Sequence, residues 1–208
     1  MKKTFSCLLL LTLLVLFLSA QFALAQTSRQ TTEECLAMAR KLEASLPGLI
    51  ATAKASIHTL VPDPAAYERV LPSMDKVIAD KDGRNLKNYG GLSEAYLYAE
   101  QPAKAEQIRD SFISGAKKVL PKTDTFVAAI NGDFAIYYFD KKDYKKAEPL
   151  FMSSIAEFEA NPTPAMANNL ISDYLCMSLI KDKSGDKESA GMYARKLVAL
   201  SLKQQQGN

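Results

Sequence analysis

Residues 87–106, KNYGGLSEAYLYAEQPAKAE, come back 42 positions later as residues 129–148, AINGDFAIYYFDKKDYKKAE. Superposed without gaps, Gly90 meets Gly132, Leu92 meets Phe134, Ser93 meets Ala135 and Tyr96 meets Tyr138. Ala105-Glu106 likewise meets Ala147-Glu148. A constant self-offset of this size marks a helical repeat, whose units bury their apolar faces only against their neighbours. Ala190 stands 43 residues after Ala147, so a third unit follows at nearly the same spacing.

Within the first unit, Leu86, Tyr89, Leu92, Tyr96 and Ala99 line one side of a helix over residues 85–99. Glu100-Gln101-Pro102 turns the chain, and a second helix runs over 103–120 with Ala105, Ile108, Phe112 and Val119 inward. Pro121 stops it. Thr123 or Asp124 caps the next helix, 125–139, and Lys141-Lys142-Asp143 makes the next turn. Residues 144–158 follow, with Pro149 expected to disturb them because it removes a helix hydrogen bond. Asn161-Pro162-Thr163-Pro164 opens the last pair: a helix over 166–180, a loop over 181–186, and a closing helix over 188–202. Residues 204–208 read as a frayed tail.

Ahead of the repeats, Thr31-x-x-Glu34 has the form of a capping box. A helix is expected to about Leu46, broken by Pro47-Gly48, and another over 49–61. Asp63-Pro64 starts a further helical face through Tyr67, Val70, Leu71, Met74 and Ile78, interrupted at Pro72 by a kink or restart. Asp82-Gly83 ends it. No segment alternates like a strand. The fold class is therefore all-α, built of antiparallel helix pairs.

Lys2 and Lys3, the apolar run 7–18 and Ala23-Leu24-Ala25 read as a signal peptide over residues 1–25, cut before Gln26. The other reading is an uncleaved membrane anchor. The chain is thus expected to be exported, periplasmic or secreted. Without Lys2 and Lys3 the 26 basic residues become 24 against 23 acidic, so there is no nucleic-acid footprint. A Cys35–Cys176 bridge would stabilise by about 4–5 kcal/mol on the chain-entropy account. The two cysteines sit at opposite ends of the array in sequence, however, so two separate thiols are expected. Residues 26–84 form an N-terminal helical segment, which a degenerate capping repeat would explain, and 85–203 hold three helix pairs.

Phe134-Ala135-x-x-Tyr138 followed by Lys142-Asp143-Tyr144-x-x-Ala147-x-x-x-Phe151 resembles the tetratricopeptide repeat. Leu92-Ser93-x-x-Tyr96 with Ala105 matches it more loosely: Pro102 replaces the turn tyrosine and Arg109 the later aromatic. Leu175-Cys176-x-x-Leu179 with Ala190 matches again, with Ala194 in the later aromatic position. The resemblance implies a short TPR-like α-solenoid, with Cys176 a buried spacer between helices. The spacing of 42–43 exceeds the family's usual ~34 residues, which implies longer helices or connections.

The resemblance also implies a ligand surface on the concave side of each first helix. Carried over, it holds Lys87, Gly90, Glu94, Leu97 and Tyr98 in the first unit. The second adds Gly132, Ile136, Phe139 and Asp140, and the third Asp173, Met177, Ile180 and Lys181. Such a lining suits an extended or helical protein segment with apolar anchors and orienting charges. Gly90 and Gly132 either admit a ligand to the backbone or serve helix packing. No phosphate-cradling loop, metal spacing or catalytic constellation accompanies the lone His58, and no cofactor is expected. The charge run 140–146 reads as a solvated turn. The function that follows is a non-catalytic protein-interaction module binding a protein or peptide. The alternative is a carrier holding a lipid or small apolar ligand between its helices.

Overall fold

The computed structural model describes residues 31–163 and 166–206; the signal peptide expected over residues 1–25 lies outside them. The described residues form ten α-helices and no strand. They are α1 (Thr32–Glu43), α2 (Leu46–Leu60), α3 (Pro64–Val70), α4 (Met74–Ala79) and α5 (Gly83–Tyr98). Then come α6 (Pro102–Val119), α7 (Phe126–Asp140), α8 (Tyr144–Ala160), α9 (Ala167–Ser184) and α10 (Lys187–Gln206). Among these helices none is long and apolar enough to cross a membrane.

Three pairs, α5–α6, α7–α8 and α9–α10, pack as antiparallel neighbours, as the repeat offset requires. Their first helices also pack on one another: α5 on α7, and α7 on α9. Small side chains permit this. Ala105, Ala135, Ala147, Cys176 and Ala190 are all enclosed. Arg109, which departs from the repeat pattern, lays its guanidinium over the Phe134 ring at 4.8 Å and so replaces the missing aromatic.

The turns repeat as well as the helices. Glu100 (φ 60°) and Lys142 (φ 61°) are both left-handed, and the next residue's N–H returns to the Tyr96 and Tyr138 carbonyls at 3.0 and 2.8 Å. This closes each first helix in a Schellman turn. Pro102 then supplies the preset φ of a helix start.

Several boundaries differ from those read in the sequence. The first break falls at Ala44-Ser45 rather than at Pro47-Gly48, because Pro47 fits in the first turn of α2. At Pro72 the chain restarts: Ser73 caps a new helix. Asp82 caps α5 rather than ending α4, its carboxylate accepting from the Asn85 N–H at 3.0 Å. Helix α8 runs through Pro149, whose exposed side leaves the freed carbonyl to water. Helix α9 extends to Ser184 and stops at left-handed Gly185, and α10 continues through Gln206.

A tyrosine–glutamate–lysine triad binds each pair to a helix that precedes it in the chain. Tyr96 on α5 donates to Glu68 on α3 at 2.6 Å, and Lys104 on α6 reaches the same carboxylate at 2.9 Å. Tyr138 on α7 donates to Glu106 on α6, and Lys146 on α8 joins at 2.9 Å. Tyr174 on α9 donates to Glu159 on α8 at 2.5 Å, and Lys196 on α10 joins at 2.7 Å. In every case the lysine also lies over the tyrosine ring, at 5.8, 4.8 and 5.5 Å.

The N-terminal helices do not form a pair with each other. Helix α1 packs on α9 and α10, at the far end of the chain, while α2 lies across α5 and α7. Cys35 is thereby carried to the helix pair that holds Cys176, so the sequence distance between them is no guide to space. Both cysteines are buried, and no disulfide joins them.

Replacing Tyr138 by Phe is expected to lower stability by about 1.5–3 kcal/mol, the scale of a hydrogen bond to a charged group. In a double-mutant cycle with Glu106→Gln, followed by denaturant unfolding, the two losses should fall well short of adding.

Candidate functional site

Two features of the first helices stand out: the side on which α2 lies, and a string of carboxyl groups within it. Helix α7, FVAAINGDFAIYYFD, has no polar face. A helix apolar all round is one that neighbours cover on every side. In α9, residues 171–180 are buried without interruption. The cover comes from the pairs themselves and, on the remaining side, from α1 over α9 and α2 over α5 and α7.

The residues proposed for the concave surface fall into four groups. Leu97, Tyr98, Phe139, Met177 and Ile180 are core, and Tyr98 stands edge-on to Tyr137 with ring centroids 6.1 Å apart. Lys87, Ile136 and Lys181 are half-buried and Asp140 is exposed. Lys87 is paired with Asp124 at 2.6 Å and Lys181 with Glu148 at 2.5 Å. Gly90 serves packing: a Cβ there would lie 2.7 Å from the Phe126 ring and 3.3 Å from Ile130. Gly132 makes room for Ser154 and Asp173, which a Cβ would meet at 3.2 and 3.3 Å.

Glu94 and Asp173 belong to the carboxyl string, and Asp133 links them. Glu94 on α5 is bonded to Asp133 on α7. The charge of Asp133 also reaches Asp173 on α9, which accepts from the Ser154 hydroxyl on α8 at 2.6 Å. Burial, reinforced by Asp133, raises the Glu94 carboxyl well above its ordinary range, even though part of the residue is solvent-accessible. Burial pushes Asp173 up to about 8, against the opposing Ser154 bond. Carboxyls this close in a poorly solvated interior cannot all ionise, so protons are retained among them. Asp133 escaped the sequence reading. Its signal was an acid in the middle of an otherwise apolar helix.

Among the described residues, no group of three or more His, Cys, Asp or Glu is arranged to hold a metal ion. His58 lines a shallow cleft between α2 and α5, with Ile57, Val61, Pro64, Ala95, Tyr98 and Ala99. The cleft has room of about 20 Å³, on the scale of one water molecule rather than an acyl chain. No protein-family model, curated protein or solved structure matches this chain.

Two sets of acids should oppose each other as pH changes. For Asp173 and Glu94 the folded state binds the extra protons, so stability falls as pH rises from about 4 toward 8. Glu100, drawn down to about 2 by Lys54 and Lys141, stabilises above the ordinary carboxylate range, and that contribution is lost as pH falls toward 2. Bonds from Arg40 and Lys187 lower Asp182 in the same direction. Thermal melts should therefore peak near about pH 5. The Glu94→Gln, Asp173→Asn double variant should flatten the alkaline limb and leave the acid limb in place.

Proposed function

We propose that the protein is an exported, non-catalytic interaction module, a short TPR-like solenoid whose first-helix side takes up a helical segment of a protein or peptide partner. The observation that carries this reading is the seat of α2. A lone amphipathic helix, foreign to the three pairs, lies across α5 and α7 and buries Leu46, Ala53 and Ile57 there. That side has the shape and chemistry to hold a helix, which is the helix-in-groove mode of recognition.

The chemistry of the remaining surface agrees. Nearly balanced charge in the mature chain favours a protein over a nucleic acid. The outward faces of the second helices are polar apart from isolated residues such as Met152 and Met192, so they offer no continuous apolar patch. A carrier of apolar ligands could use the α2–α5 cleft only by parting those helices, since that cleft is water-sized.

The two sides are separable by site-specific photo-cross-linking in the native cell envelope. A photoreactive residue at Ile136 or Asp140 should capture a protein partner, and one at Met152 or Met192 should not. Equal capture from both sides, or capture from the second-helix side alone, removes this reading.

A further inference from the structure

Helices α1 and α2 cover the first-helix side unequally. Helix α1 is firmly held. Cys35, Leu36, Ala39 and Leu42 are buried along one of its faces. Arg40 forks onto Asp182 at 2.8 and 3.0 Å, and Glu43 pairs with Lys183 at 2.8 Å. Thr32 lies so close to α10 that a Cβ on Gly191 would stand 2.2 Å from its methyl carbon. Beyond α1 the hold weakens. Helix α2 buries only three residues, α3 buries none, and Leu60 and Val70 are exposed.

Charge is complementary across the α2 contact. Helix α2, LPGLIATAKASIHTL, contains Lys54 and His58 and no acid. Helix α7 ends on the exposed Asp140 and contains no base; its Asp133 lies inside, with Glu94, among acids that hold their protons. The charged contact is Lys54 to Glu100, at the α5–α6 turn, at 2.9 Å, a carboxylate that Lys141 shares. The basic residues Lys87 and Lys181 are already neutralised by Asp124 and Glu148. The apolar stripe of α2 is Leu46, Ile50, Ala53 and Ile57, at helical spacing i, i+4, i+7 and i+11.

We propose that α1–α2 is an internal occupant of the partner face, latched at α1, and that the partner it stands in for is a cationic amphipathic helix. The inference rests on the interaction reading above. While the latch holds, the tethered α2 competes with any free helix, so the apparent affinity for partner is reduced by the fraction of open molecules. Loosening α1 frees the face without altering it.

The test uses the mature chain and a labelled synthetic peptide of residues 45–61. Arg40→Glu sets two acids against each other at the latch and should tighten peptide binding at least about tenfold over wild type. The opposite manipulation is available at Thr32 and Gly191. A Cβ built on Gly191 lies 3.7 Å from the Thr32 Cβ. That is inside the range of about 3.5–4.5 Å for a disulfide. The Thr32→Cys, Gly191→Cys variant should therefore bind no peptide when oxidised and recover binding on reduction. A peptide carrying Lys54→Glu should bind about tenfold more weakly, because like charge then faces Glu100.

Equal binding by the oxidised and reduced forms overturns the proposal. So does an Arg40→Glu protein whose residues 32–60 exchange hydrogen freely yet which binds no peptide. If a partner still cross-links at Asp140 in either case, the interaction face stands and only the internal occupant is lost.

Discussion

Helices α7 and α9 have no free side along their central turns, and the rest of the structure follows from that. Helices α5, α7 and α9 pack on their own partners, on one another and on the returning N-terminal helices. A helix surrounded in this way has no solvent-facing stripe on which to place charge. Its residues must be small where backbones approach and apolar elsewhere. Gly90 beneath Phe126, Ala135 between α7 and its neighbours, and Cys176 on α9 meet the first demand. Phe134, Ile130, Leu175 and Met177 meet the second.

Polar groups enter this interior in two different ways, with opposite electrostatic consequences. At its edge, a tyrosine hydroxyl and a lysine share one glutamate in each triad, so every carboxylate has a cation and its charge is favoured. Inside, Glu94 meets the Asp133 carboxyl and Asp173 accepts from Ser154, and burial with like charge favours the neutral acid. The edge groups work best once ionised, and the interior groups work best when protonated. A single fold thus carries both an acid-sensitive rim and a base-sensitive centre.

The side of the array formed by the first helices is the candidate for function because it has already accepted a helix. Helix α2 belongs to none of the three pairs, buries a narrow apolar stripe and pairs Lys54 with Glu100. Its hold depends on α1, which carries most of the buried surface and the Arg40 fork. Strong attachment at one point and weak attachment at the other separate the covering of the face from the stability of the pairs themselves.

The sequence by itself determined the all-α class, the three pairs and the turns within the first two. Those features are local. A repeat offset, a Thr31–Glu34 box or a Glu100–Lys142 correspondence involves residues within a few turns of each other, or copies of one pattern. Tertiary structure alone decided where α1 and α2 go, since Arg40 meets Asp182 across 142 residues and no periodicity announces such a meeting. It also decided the state of the candidate site. Glu94 and Asp173 were legible as members of the first-helix side, but not as part of one carboxyl string through Asp133. Nor could sequence distinguish Leu97 or Met177 as core from the same residues as a waiting surface. An amphipathic stripe looks the same whether the chain's own helix or another protein covers it, because burial is a property of the neighbour, not of the stripe.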